Sequence, residues 1–534
     1  METTPRETQL TERLETMEKT VAALTAQLET ALAENQRLST ENKLLREKVD
    51  KLVRKIFGKS SEKLDAAQLE LLLQFPEEDT TLGKSPASPC TSPGADTWEA
   101  PLPKHPAPCS PQPRKPRLPE HLPVEEHLIE PDEVLANPAA WRRIGEEVSE
   151  QLDYRPGRFL RRRTVRPKYV RKGDSENPPV IAPLPPSLQD ACLATPELIA
   201  AIITFKFCDH LPLYRLEQIF LTRHGVSIPR QTMCRWMALA AFWLRPLYEG
   251  IKTTVLDGHY VQIDETPIEY LSPGNGSTLQ GYLWPVHRPG EETFFTWHTG
   301  RGASCLDTII PDDWWGLIQC DCYSAYPAFV RRRTARTDAV IVLAGCMAHA
   351  RRGFVDALPQ ATSVCAFILR QMQHLYAIEE RLRQQHASAT LRGIVRHVES
   401  RPIMQRIHRW CTNLKERRVH LPQSNMGKAL SYLLGHWEQI SRYLEDGRLE
   451  IDNNLVENAI RPTAIGKKNW LFVGSETSGE TSAILSTLIE SARRRGIDPL
   501  TYLRDALTRL PRMTTSQISE LLPATWAAAQ KNAA

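Results

Sequence analysis

Thirteen prolines fall among the 48 residues from Pro76 to Pro123, mixed with Ser, Thr and Lys. Proline lacks the N–H that a helix or a sheet ladder needs. The stretch therefore cannot build a packed core and reads as a flexible, partly extended linker. Whatever folds must do so on either side of it. At 534 residues, the chain is long enough for several domains and at least one large core.

Ahead of the linker runs a heptad repeat. Leu10, Met17, Leu24, Ala31, Leu38, Leu45 and Leu52 fall at d; Leu14, Val21, Leu28, Asn35, Asn42, Val49 and Ile56 fall at a. Twelve of these fourteen positions are apolar, and a repeat sustained this long needs a partner helix. An Asn at a can meet its own copy across the seam and penalises other registers. A parallel homodimer is expected, a rod about 70 Å long; one amphipathic helix on a globular body is the alternative.

Beyond the linker, nine basic residues and no acid stand between 155 and 172: Arg155, Arg158, Arg161, Arg162, Arg163, Arg166, Lys168, Arg171 and Lys172. The net charge is only +4, so this local strip is what points to phosphate binding. A solvated surface is the competing reading. Trp141, Ile144, Leu152 and Tyr154 suggest a small β-rich module around it. Two amphipathic helices follow, Pro196 to Phe207 and Leu213 to His224. A Gly225-Val226-Ser227-Ile228 turn then leads to a helix opening with Arg230, Gln231 and Arg235. That order fits a helix-turn-helix able to enter a major groove, or a plain helical scaffold.

From Tyr260 the periodicity drops to two. Strands are expected at Tyr260–Thr266, Gly281–Val286, Thr293–His298, Leu317–Asp321 and Ala339–Ala344. A helix is expected near Ala348 to Phe354, helical character from 365 to 445, and a short strand at Trp470–Val473. Helices near Ser482–Arg495 and Pro499–Leu510 close the chain. This is a mixed α/β core interrupted by a helical insertion.

Asp264 and Asp321 each end a short apolar run, and Glu457 lies in the segment Asp452-Asn453-Asn454-Leu455-Val456-Glu457-Asn458-Ala459-Ile460-Arg461-Pro462. Three carboxylates from separate segments, amid basic residues, suit divalent metal and phosphodiester chemistry. Two Mg²⁺ ions, or Mn²⁺ in their place, fit an all-oxygen donor set. Asp452 reads as a helix N-cap, and strand alternation turns Glu265 away from Asp264. Arg461, Lys467 and Lys468 can grip flanking phosphates, and His349 and Arg351 are candidates beside the scissile phosphate. A zinc site from Cys320, Cys322, Cys346 and His349 is a poor spacing match.

With these residues in hand, the chain resembles the insertion-sequence-66 family of bacterial transposases, of the DDE type. The likeness rests on Ile56 to Leu64, Ile144 to Tyr154, Asp209 to Arg215, Asp264-Glu265-Thr266-Pro267, Cys346 to Arg352, and Asp452 to Arg461 continuing through Lys468 to Ser475. It covers nearly everything but the linker. It implies an RNase H-like core, with Asp264, Asp321 and Glu457 as the catalytic acids and a helical insertion before the third. Members often carry two Cys pairs in a zinc-finger-like module, but no Cys lies between Cys109 and Cys192. Loss of zinc from that module is expected.

The organisation expected is a coiled coil at 1–64, linker at 65–123, basic β-rich module at 124–194 and helix-turn-helix-like domain at 195–252. The core follows at 253–362, with its insertion at 363–446, its second part at 447–514 and a tail at 515–534. The function expected is 3′-end cleavage and strand transfer of an insertion sequence after binding its terminal inverted repeats, with accessory proteins of the same element as further partners. A structure-selective nuclease and a non-catalytic DNA-binding regulator are the rivals. The first would cleave without joining; the second would show no metal-dependent cleavage. The start shows no signal-peptide pattern, no apolar run approaches the roughly 18 residues of a membrane span, and eleven scattered cysteines suit a reducing cytosol. A location beside the nucleoid, away from membranes, is expected.

Overall fold

The computed structural model describes residues 186–533 apart from 191, 273 and 275. It also describes strand residues 168–169 and 180–181, residues 157, 159 and 162, and scattered positions between 25 and 45. The chain divides into two compact units, Met1–Glu78 with Arg166–Ala534, and Asp79–Val165. The linker and Arg161, Arg163 and Arg166 lie outside the described residues. Of the heptad seam, Asn35, Leu38, Asn42 and Leu45 are helical and exposed; the other seam positions lie outside. Among the described residues, no helix is long and apolar enough to cross a membrane.

Strands β1 (Lys168–Tyr169) and β2 (Val180–Ile181) form a small antiparallel ladder. The main sheet has seven strands: β3 (Tyr260–Ile263), β4 (Thr266–Leu271), β5 (Thr278–His287), β6 (Thr293–His298), β7 (Gly316–Gln319), β8 (Ile341–Ala344) and β9 (Phe472–Val473). Its order is β8-β7-β3-β5-β4-β9, with β6 on the far edge of β5. The β3/β4, β5 and β6 segments form an antiparallel meander. On the opposite edge β7 joins β3 in parallel, β8 joins β7, and β9 joins β4.

Two expectations need correction here. The strand expected to end at Thr266 runs on to Leu271, opened only at Asp264 and Glu265. Its register against β5 is unbroken, with Ile263 opposite Val286 and Thr266 opposite Leu283. At the opening, the Glu265 N–H turns to the Asp264 carboxylate at 2.9 Å. The strand expected to reach Asp321 stops at Gln319, so Asp321 sits in the turn beyond it.

Helix starts are written locally. Thr195, Ser424, Ser475 and Asp498 each accept a hydrogen bond from the N–H three residues on, satisfying a donor that a first turn leaves orphaned. Gly225, at φ 66°, ends the Leu213–His224 helix in the left-handed conformation that glycine adopts without penalty. The Glu476–Arg494 helix lies on β6, where its buried Thr487 hydroxyl accepts from Phe295 N at 2.9 Å.

Between β8 and β9, a run of helices from Thr362 to Ser441 shares an apolar core with the Met347–Ala357 helix. Phe354, Leu369, Met372, Ile407, Met426 and Leu430 are among its buried members. At its floor Arg396, fully buried, grips Glu379 with two hydrogen bonds of 2.7 Å and donates to the carbonyls of Tyr443, Asp446 and Leu449. Those carbonyls lie just ahead of the loop leading to Glu457. Arg396→Leu leaves the buried Glu379 carboxylate with Arg392 alone, at 3.3 Å, and its expected cost is about 3–5 kcal/mol in urea denaturation. The double variant with Glu379→Leu recovers most of that loss.

Candidate catalytic site

The opened residue Asp264 follows β3, and Asp321 follows the neighbouring parallel strand β7, so both emerge on the same edge of the sheet. Glu457 stands in the first turn of the Asn454–Trp470 helix, whose positive end favours a carboxylate. The Asp321 turn is tight, with Cys322 at φ 65°. There Asp321 accepts from Tyr323 N at 2.9 Å, and its carbonyl accepts from the Tyr432 hydroxyl at 2.7 Å.

The three acids share one electrostatic neighbourhood. Burial, together with the charges of Glu265, Glu457 and Asp321, pushes the Asp264 carboxyl up to about 8. An acid held so far above its ordinary 3.8 marks a place where negative charge is crowded and poorly solvated. A divalent cation relieves such crowding, and the donors present are oxygens of the kind Mg²⁺ and Mn²⁺ take.

Glu265 proves more involved than strand alternation suggested. It is buried, accepts from Arg301 Nε and from the Tyr326 hydroxyl, and is pushed up first by burial and then by the Asp321 charge. Arg301 also comes within 4.0 Å of Asp321 and stacks over the Tyr323 ring. It thus links the opening between β3 and β4 to the turn after β7. No sequence spacing announced Arg301; its partners come from two separate segments, the opening at Glu265 and the turn that holds Asp321 and Tyr323.

The Met347–Ala357 helix brings His349 to the cluster, its Nδ1 3.7 Å from the Glu457 carboxylate. Among the described residues, the group of three donors gathered with ligand atoms within 4.8 Å of one another is Cys346, His349 and Glu457; Asp264, Asp321 and Glu457 are not drawn together that closely. Cys320 and Cys322, weighed with them on sequence, are not in that group. Asp452 is not the N-cap. Asn453 holds that position, while Asp452 accepts from Asn454 N–H and from the Tyr376 hydroxyl.

The basic candidates are spread more widely. Arg461 and Lys468 are exposed on the Glu457 helix, whereas Lys467 reaches back to β4, donating to Thr266 Oγ1 and Pro267 O. Lys467 is thereby a tie between helix and strand before it is a phosphate contact. Arg351 is half-buried on the His349 helix. Arg230, Gln231 and Arg235 are exposed together at the start of the Arg230–Leu256 helix, and Arg162 is exposed. Lys168 lies on β1.

A cluster of acids at the edge of a mixed sheet, with basic side chains nearby, defines a nucleic-acid-processing class of site. Residues 191–481 match the Transposase IS66 family, 487–524 match the IS66 C-terminal element, and 44–126 match a segment described as "Transposase C of IS166 homeodomain". The chain belongs to the IS66 family of DDE transposases. That family implies a transposase-type nuclease, with DNA as its partner and divalent metal in its chemistry. Relatives from Sinorhizobium fredii (strain NBRC 101917 / NGR234) include "Uncharacterized protein y4qI", 34% identical over 95% of this chain and 94% of its own. Another is "Uncharacterized protein y4jD", 35% identical over 77% of this chain and 82% of its own.

Charge crowding has a pH signature. Asp264 keeps its proton from 3.8 up to about 8 in the metal-free fold, so the native state binds more protons than the unfolded chain across that window. Its contribution to stability therefore falls as pH rises through the window and is flat above it. Asp264→Asn removes this loss. In thermal denaturation with EDTA, the variant's midpoint should exceed wild type at pH 8, with the gap closing toward pH 4. A gap independent of pH would refute the crowding.

Proposed function

We propose that this chain cuts the 3′ ends of its own insertion sequence and joins them to target DNA. Asp264, Asp321 and Glu457 are its catalytic acids. The observation that carries this reading is the burial and charge crowding at Asp264, produced by acids from three separate segments in a member of a DDE family. The sheet order supports an RNase H-like core: an antiparallel meander, with two parallel strands added on the edge where the acids emerge.

Asp264, Asp321 and Glu457 would hold two Mg²⁺ or Mn²⁺ ions, which supply an acidified water and charge stabilisation at phosphorus. The residues around them place the DNA. Arg301, held by Glu265, stands beside Asp321 with one side open to solvent, so it can meet a phosphate without losing its own anchor. His349 and Arg351 approach from the neighbouring helix, and Arg461 and Lys468 continue the basic face past Glu457.

In the first reaction, water attacks the scissile phosphorus. The bond to the 3′ oxygen breaks, leaving a 3′-hydroxyl on the element and a 5′-phosphate on the flank. In the second, that 3′-hydroxyl attacks a target phosphodiester, displacing the target's own 3′ oxygen. No outside energy source is needed: the first step is a downhill hydrolysis, and in the joining step the target phosphodiester that breaks is replaced by the one that forms.

End recognition is assigned to the exposed Arg230, Gln231 and Arg235, acting as a helix-turn-helix, and to the strip containing Arg161, Arg162, Arg163, Arg166 and Lys168. The heptad seam would pair two chains and so two ends. Leu38 and Leu45 are roughly half exposed in a single chain, at 47% and 51%, which leaves their apolar surface for a partner helix.

A labelled element-end duplex with Mg²⁺ or Mn²⁺ tests this. Wild type should yield both nicked and joined products, whereas Glu457→Gln and Asp264→Asn should fall to background while still binding the duplex. Cleavage without joining would favour a plain nuclease, and no cleavage with any divalent ion would favour a DNA-binding regulator. End binding should weaken with salt at a log–log slope near −0.9 per neutralised phosphate. Arg235→Ala should make that slope shallower if it contacts the backbone.

A further inference from the structure

Two residues before each strand-borne acid stands a glutamine: Gln262-Ile263-Asp264 and Gln319-Cys320-Asp321. Because β3 and β7 are parallel neighbours, the register sets Gln262 directly opposite Gln319. Both side chains are fully buried. A buried amide is costly unless its donors and acceptor are all used, so their partners are informative.

Gln262 Nε2 donates to Gln319 Oε1 at 2.9 Å and to the Asp452 carbonyl at 3.0 Å, while its Oε1 accepts from Val456 N at 3.3 Å. Gln319 Nε2 donates to the Glu450 carbonyl at 2.8 Å and to Gly345 O at 3.2 Å. The Tyr260 hydroxyl closes the ladder, donating to Gln319 Oε1 at 2.7 Å and accepting from Glu450 N at 3.0 Å. Apart from Gly345, every partner outside the ladder belongs to residues 450–456, immediately ahead of Glu457. The Val456 N–H, in that helix's first turn, is shared between the Asn453 carbonyl at 3.1 Å and this side chain from the sheet.

Apolar residues would fill the same space and bury well. What amides add is direction: their hydrogen bonds fix where the 450–456 segment sits along the strands, not merely that it packs there. We propose that Gln262 and Gln319 are positioning residues that hold Glu457 in phase with Asp264 and Asp321, so that the ion site is assembled before an ion arrives. This rests on the catalytic acids assigned above. The same strands thus carry two of the acids and place the third, in the way outer partners orient metal ligands.

The test uses the full chain, with Gln262→Leu, Gln319→Leu and the milder Tyr260→Phe. Tyr502→Phe serves as control, removing a buried hydroxyl bonded to Leu521 O far along the chain. Element-end cleavage is measured against Mn²⁺ concentration, and Mn²⁺ binding is followed separately by electron paramagnetic resonance. Both leucine variants should need roughly tenfold more Mn²⁺ for half-maximal cleavage, recover much of their rate at saturating Mn²⁺, and bind the duplex as wild type does. Tyr260→Phe should shift the same way by less, and Tyr502→Phe should lower the melting temperature without moving the Mn²⁺ curve. Wild-type Mn²⁺ curves in the ladder variants, whatever their melting temperatures, would overturn the proposal. If wild type does not cut at all, the catalytic reading fails. The ladder is then judged on Mn²⁺ binding alone, where unchanged affinity in Gln262→Leu would overturn it too.

Discussion

Like charges confined at the edge of a sheet are the constraint around which this fold is organised. Asp264 feels Glu265, Glu457 and Asp321 while largely withdrawn from water, and in the absence of a cation that arrangement works against folding. The rest of the structure must therefore hold the acids where they would not settle by themselves. Arg301 offsets part of the charge from one side. The buried amides of β3 and β7 restrain the backbone from beneath.

This division of labour explains why polar groups are so prominent in the interior. Gln262, Gln319, Glu379 and Arg396 are all fully buried, and a core built for stability alone would use few of them. Each is tied to the approach to Glu457. Arg396 grips the carbonyls of 443–449, the glutamines grip 450–456, and Cys346 Sγ accepts from Asn453 N. Directional bonds are placed where position matters and apolar packing where it does not.

Much of the architecture was readable from local pattern. Thr293–His298, rich in aromatic residues, is a strand with those bounds, and the helices expected at Pro196–Phe207 and Leu213–His224 run over those residues, the second ending at Gly225. The misses have a common cause. The β4 segment exposes Pro267 and Glu269, so its alternation looks like turn chemistry until β5 is laid beside it. Glu265, Arg301 and Lys467 take partners tens to hundreds of residues away, and no window of sequence reports such pairings. The meaning of Gln262 and Gln319 was hidden for the same reason. A glutamine in an apolar run looks like an imperfect strand residue until the backbone it serves is in view.

The helices between Thr362 and Ser441 are not an ornament hung on the sheet. Their buried arginine is clasped to the very carbonyls from which the Glu457 loop departs, and Tyr432 reaches out of them to the backbone of Asp321. Excising that region to obtain a minimal nuclease would remove the jig along with the decoration.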